Sequence, residues 1–258
     1  VRAAFFDLDK TVIAKSSIVA LGPELHARGL LHRRTLIRAG IGQLWFQRFG
    51  ADEKRLNRVR ERVLRITRGW DQDEVRQMVR ETINEIIEPL IYAEALELID
   101  HHVAQGDEVY LVSSAPAEIV EPFSELLDLT GAISSEAAVD ENGKFTGEMH
   151  FFAQGENKAL AMKALAERRG INLADSYAYS DSETDVPMLE AVGHPFAVNP
   201  DRTLARIAHD RQWPLLTFSH PVTALSRSKS HTPFFVSAAI VGVAAVMGVG
   251  GAARYQRR

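Results

Sequence analysis

The sequence predicts an α/β domain built on a parallel sheet, with a helical insertion after the first strand and an apolar helix near the C-terminal end. Three observations predict it. Short apolar runs ending in polar residues recur between stretches of helical spacing, the alternation of a parallel sheet covered by helices. Residues 12–89 hold few strand-like runs, and residues 234–253 carry no formal charge.

Taken in order, Ala3-Ala4-Phe5-Phe6 is a short apolar run ending in Asp7, the pattern of a buried strand that delivers polar residues at its C-terminal end. In residues 53–66, Leu56, Val59, Val63 and Ile66 recur every three or four positions and make one apolar helical face, which Gly69 ends. A second helix is expected over 73–87, with Pro89 near its exit, and a third over 93–105. The Gly106-Asp107 turn then leads into a strand at 108–112. Residues 132–149 place Asp140-Glu141-Asn142-Gly143-Lys144 between short extended segments, a hairpin turn. Residues 156–169 read as a helix ended by Gly170, and 176–179 as a strand. Pro187 suits the first turn of the next helix, Gly193 ends it, and Phe196-Ala197-Val198 supplies another strand.

Thirty Lys and Arg against 34 Asp and Glu give a net charge of -4, so average charge marks neither a nucleic-acid binder nor a disordered acidic tail. The absence of cysteine excludes disulfides, thiolate metal sites and thiol nucleophiles. The first residues, VRAAFFDLDK, lack the pattern of a secretory signal, so any catalytic part is expected in the cytoplasm. At about 1.5 Å per residue, 234–253 is long enough to cross a hydrocarbon layer of about 30 Å. Arg227 and Lys229 before it nearly balance Arg254, Arg257 and Arg258 after it, so flanking charge sets no orientation. A single-pass anchor in the inner or plasma membrane is expected, with the catalytic domain facing the cytoplasm.

Asp7 and Asp9 share strand parity at the end of the first apolar run. Alone, this pair fits a divalent-cation site, a nucleophile beside a proton-transfer group, or a turn in which Asp satisfies the backbone. A second acidic loop, Asp181-Ser182-Glu183-Thr184-Asp185, follows the Tyr177-Ala178-Tyr179 strand. Two acidic loops at one sheet edge are more specific, because Mg²⁺ takes oxygen donors from carboxylates, carbonyls and water.

The arrangement resembles the haloacid dehalogenase superfamily, in particular its phosphoserine-phosphatase-like branch. Asp7-Leu8-Asp9-Lys10-Thr11 matches the opening DxDx[TV] motif, and Ser113 after Glu108-Val109-Tyr110-Leu111-Val112 matches the second. Lys158 fits the third motif and Asp181 to Asp185 the acidic fourth, an ordered match over about residues 3–201. The resemblance implies a Rossmann-like parallel-sheet core over 1–11 and 90–210, and a helical cap over 12–89. Residues 211–233 are then a linker, 234–253 the membrane span and 254–258 a basic tail. It also implies Asp7 as nucleophile and Asp9 as acid and base. Asp7, the backbone carbonyl of Asp9, and Asp181 would hold Mg²⁺, with Asp185 adjoining, while Lys158, Thr11 and Ser113 would bind phosphate.

Substrate signals are more dispersed. Residues 28–68 hold 12 Lys or Arg and three acidic residues, beside apolar positions such as Leu36, Leu44, Trp45 and Phe46. With the apolar segment, this favours a phospholipid or lysophospholipid monoester as substrate. Phosphoserine or another small phosphomonoester is the alternative, and a membrane-tethered phosphate-binding domain is the alternative of another class. Ser16 stands where the phosphoserine enzymes of the family carry a cap glutamate, which weakens phosphoserine specificity. No aromatic single-strand platform or zinc module suggests nucleic acid. His101-His102 read as helix-end residues, Ser114 as a cap for a helix at Pro116, and Asn199-Pro200-Asp201 as a turn.

Overall fold

Strand β1, Ala3–Phe6, is the axis of the fold, with all four residues fully buried. Ala3 and Phe5 enter one core cluster, and Ala4 and Phe6 the other. A strand covered on both faces has no polar side to alternate with, hence its unbroken apolar run. The computed structural model of the chain describes residues 1–30, 53–86 and 88–221. These fall in the first of two units, Val1–Ala224, while the second, Leu225–Arg258, lies outside the described residues.

β1 pairs in parallel with β2, Glu108–Pro116, and with β5, Tyr177–Ser180. Beyond β2 lie β3, Gly131–Val139, and the antiparallel β4, Phe145–Phe151; beyond β5 lie β6, His194–Val198, and β7, Leu215–Leu216. The sheet order is β4-β3-β2-β1-β5-β6-β7, so the ends of β1, β2 and β5 that face ligand in such sheets stand side by side at its centre.

Helices α1, Ser17–Ala27, α2, Glu53–Thr67, and α3, Gln72–Ile86, lie between β1 and β2, followed by α4, Ala93–Ala104. With α5, Ala117–Leu126, they supply Leu21, Met78, Ile99 and Phe123 to the Phe6 side of the core. The Phe5 side takes Met162 from α6, Glu156–Arg169, Leu189 from α7, Val186–Glu190, and Leu204 from α8, Arg202–Asp210. The expected hairpin forms as read: the Asp140 carboxylate accepts the N–H groups of Asn142 and Lys144, both at 2.9 Å. The hairpin also meets the insertion, where the Gly69 N–H donates to the Phe145 carbonyl at 2.8 Å.

Several expectations are corrected. β2 continues past Val112 to Pro116, held by β3, where Ser135 Oγ donates to the Ser114 carbonyl at 2.8 Å. The Ser114 side chain therefore caps nothing and is exposed. Gly193 does not end a helix, since α7 stops at Glu190. It is glycine because a β-carbon there would stand 1.7 Å from the Ala174 carbonyl oxygen. His102 is not a solvated helix end but a buried residue bonded to Asp107 and Tyr179, each at 2.8 Å. The span expected at 234–253 lies outside the described residues, and among the described residues no helix is long and apolar enough to cross a membrane.

Candidate active site

The ladder between β1 and β5 runs one residue past Phe6: the Asp7 N–H donates to the Tyr179 carbonyl at 2.9 Å. Asp7 is thereby fixed at the sheet edge. The chain then folds back tightly, with the N–H groups of Val12 and Ile13 both donating to the Leu8 carbonyl at 3.0 Å and Lys10 in the left-handed region at φ 64°. Buried Leu8, Val12 and Ile13 anchor this turn in the core. The Asp9 carboxylate accepts the Ser17 N–H at 2.8 Å, satisfying one of the unpaired donors at the start of α1. The proton-transfer candidate and the first helix of the insertion are thus joined.

Lys158 enters from the first turn of α6. It is buried, and its Nζ donates to Asp7 Oδ1 at 2.7 Å and to Asp185 Oδ2 at 2.8 Å. Ser180 Oγ donates to the same Asp185 oxygen at 2.7 Å, while Asp185 Oδ1 is buried without a hydrogen-bond partner. Asp181 lies on the same loop, with Lys10 Nζ 3.9 Å from its Oδ2. Asp201 braces that loop: its N–H donates to the Asp181 carbonyl at 2.8 Å, its Oδ2 accepts the Glu183 N–H at 2.9 Å, and its Oδ1 caps α8.

The electrostatics follow from crowding acids in a buried space. Burial pushes the Asp7 carboxyl well above the usual range; Lys158 opposes this, and Asp185 and Asp181 add to it. Asp181 is pushed up to about 7 by burial, against the opposing charge of Lys10. Burial also raises Asp9, in part offset by its bonding to Ser17. For Lys158, burial works against the charge, yet Asp185 and Asp7 hold the ammonium above the usual lysine range.

Of the residues singled out in the sequence, the fold brings Asp7, Lys158 and Asp185 into direct contact and sets Asp181 beside them on the same edge. Among the described residues the buried Thr11 hydroxyl has no partner, and Ser113 Oγ accepts the Ala115 N–H at 3.1 Å. Neither is hydrogen-bonded to Asp7, Lys158 or Asp185. Sequence reasoning missed Ser180 and Lys10 as cluster members and the bracing role of Asp201. Asp201 carried a signal, a helix-capping acid before Arg202-Thr203-Leu204.

Among the described residues no three carboxylate or imidazole side chains form a ready-made metal cluster. The donors nevertheless fit a magnesium-like cation, which takes one or two carboxylates with carbonyls and water rather than an all-protein cage. Asp7 and Asp185 share one buried ammonium, Asp181 lies on the same loop as Asp185, and among the described residues the buried Asp185 Oδ1 lacks a partner. These features suit an additional positive charge.

Comparison with known proteins agrees with this geometry. Residues 4–190 match the haloacid dehalogenase-like hydrolase family. A Streptomyces azureus protein named for inhibition of morphological differentiation is 44% identical, covering 94% of this chain and 89% of its own. A probable phosphatase of Mycobacterium tuberculosis is 45% identical over 96% of this chain and 84% of its own. A phosphoserine phosphatase of the same organism is 35% identical over 84% and 70%. Among solved structures, a Bordetella pertussis protein of unknown function superposes with a TM-score of 0.72 at 26% identity, over 83% of this chain and 97% of that one. The motif order, the edge geometry and these likenesses converge: the chain belongs to the haloacid dehalogenase-like hydrolases and is a phosphatase of that family.

Proposed function

We propose that the enzyme hydrolyses a small phosphomonoester through an aspartyl phosphate on Asp7, with Mg²⁺ as cofactor. The observation that carries this is Asp7 at the tip of the central strand, bonded at 2.7 Å to a lysine that a second carboxylate also holds. A carboxylate oxygen of Asp7 forms a bond to phosphorus as the ester P–O bond breaks, and Asp9 gives its proton to the departing alkoxide. Asp9 then takes a proton from water as the water oxygen bonds to phosphorus and the P–O bond to Asp7 breaks. The raised position of the Asp9 carboxyl suits a group that begins protonated. Lys158 holds Asp7 against rotation and offsets negative charge on the transferring group. Thr11, with its unpartnered hydroxyl, and Ser113, whose hydroxyl proton is uncommitted while its oxygen accepts Ala115 N–H, supply donors for phosphate oxygens. Asp7, the Asp9 carbonyl and Asp181 would hold the Mg²⁺, with Asp185 adjoining; the bound ion would supply charge neutralisation.

The mycobacterial phosphoserine phosphatase supports a small substrate, although Ser16 offers no carboxylate for an ammonium group. A lipid monoester is the second reading. It is favoured by Ile18 and Val19, each 39% exposed in the turn of α1 that Asp9 holds. The uncharged run 234–253 supports the accompanying single-pass anchor, and the same reading has the site facing the cytoplasm, although the flanking charge sets no orientation.

Phosphate release in Mg²⁺ from p-nitrophenyl phosphate, phosphoserine and micellar lysophosphatidate tests both readings. The wild type releases phosphate, and D7N loses at least about 1,000-fold in turnover while keeping its fold. Near-normal turnover by D7N removes Asp7 as nucleophile. A preference for lysophosphatidate at every surface dilution selects the lipid reading.

A further inference from the structure

Two lysines reach the acidic site and are held differently. Lys158 is buried and bonded to two carboxylates. Lys10 sits between Asp9 and Thr11, its side chain 34% exposed and its Nζ 3.9 Å from Asp181 Oδ2, a loose single pairing. Its backbone at φ 64° is a conformation that glycine adopts freely and a lysine adopts only under constraint. The turn does not require a lysine, so the side chain invites a reason of its own.

We propose that Lys10 is a movable cation of the active site: it screens Asp181 in the metal-free protein and turns to a second anionic group on the substrate once a divalent cation takes that carboxylate. The inference rests on the phosphatase reading. A lysine ammonium is a point charge on a flexible four-carbon stem, suited to changing partners, whereas the doubly bonded Lys158 is not. Lys10 is the chain neighbour of Asp9, the group proposed to protonate the leaving oxygen; adjacent Cα atoms stand about 3.8 Å apart, so its flexible four-carbon stem, once released from Asp181, is long enough to reach the leaving alcohol. The substrate class is therefore a phosphomonoester whose alcohol carries a carboxylate or a further phosphate. Removing a cation 3.9 Å from Asp181 also removes a competitor and a repulsion for the incoming metal.

Mg²⁺ titration by calorimetry of metal-free wild type, K10M and K10R reads the first half. K10M is expected to bind Mg²⁺ at least threefold more tightly, and K10R like wild type. The second half is read from kcat/KM for phosphoserine against phosphoethanolamine, which differ by one carboxylate, and for micellar phosphatidylglycerophosphate against lysophosphatidate as the lipid arm. The wild type should prefer the anion-bearing ester in one arm, and K10M should lose at least tenfold of that preference, mainly through KM, with K10R retaining it. Unchanged Mg²⁺ affinity in K10M, or equal selectivity in K10M and wild type, overturns the proposal. Failure of the wild type to hydrolyse any ester, p-nitrophenyl phosphate included, overturns the phosphatase reading instead, while calorimetry still decides whether Lys10 screens Asp181.

Discussion

On the α4 side of the sheet, Arg2 Nε donates to Asp107 Oδ1, Asp107 Oδ2 meets His102 Nδ1, and His102 Nε2 meets the Tyr179 hydroxyl, each at 2.8 Å. At the sheet edge, two residues from Tyr179, Lys158 holds the Asp7 and Asp185 carboxylates, and Asp181 stands on the same loop as Asp185 beside Lys10. The first cluster closes its hydrogen bonds. Asp107 can only accept, so His102 Nδ1 donates to it, and neutral Nε2 accepts the Tyr179 proton. The second does not close: its carboxyl groups outnumber its lysines, and among the described residues Asp185 Oδ1 has no partner. A fully satisfied buried network specifies packing, whereas an unsatisfied one stores binding capacity.

Breaking each cluster should therefore have opposite consequences. The largest effect on stability is expected from H102L, which leaves the Tyr179 hydroxyl and one Asp107 oxygen unpaired. A loss of about 2–3 kcal/mol in urea unfolding is predicted, with kcat/KM of the folded enzyme retained. A stability change below about 0.5 kcal/mol would mean that the network contributes little. A smaller effect of reversed sign is expected from D181N, which removes a carboxylate that burial disfavours. At pH 7.5 it should stabilise the metal-free protein by about 1–2 kcal/mol, and should abolish part of the thermal shift produced by Mg²⁺.

The smallest and sharpest difference lies in pH dependence. Asp181 is raised to about 7, so the folded chain keeps a proton that the unfolded chain has lost; metal-free stability falls as pH rises from about 4 to about 7. His102 is lowered by burial, so the unfolded chain protonates first and stability falls as pH drops below about 6.5. D181N should reduce the first slope, to which the raised Asp7 and Asp9 carboxyls also contribute, and H102L should flatten the second, in denaturant melts taken without metal. Swapped or unaltered slopes would contradict the contrast.

How far these clusters were legible in the sequence depends on where their partners come from. Asp7, Asp181 and Lys158 could be read because each sits at a local transition, a strand end or a helix start, that short-range pattern marks. The hairpin around Asp140 and the Gly170 helix stop were legible for the same reason, as Gly170 takes the left-handed cap. His102 was misread because its neighbours in sequence describe a helix end, while Tyr179 comes from 77 residues away. Gly193 carried a genuine signal with the wrong cause, since the constraint is the Ala174 backbone rather than a helix terminus. Ser180 looks like any small strand residue until Asp185 folds back onto it, and two-residue β7 is too short for a periodic signal. The identity of the substrate is legible in neither cluster, because it depends on which group meets Lys10 and the exposed face of α1.

The most direct measurement traps the nucleophile. Enzyme turning over a phosphomonoester in Mg²⁺ is acid-quenched, treated with borohydride to reduce any acyl phosphate, and mapped by peptide mass spectrometry. Homoserine at position 7, absent from enzyme quenched without substrate, is the predicted result. Steady turnover with position 7 unmodified, or reduction at another carboxylate, would contradict the assignment of Asp7.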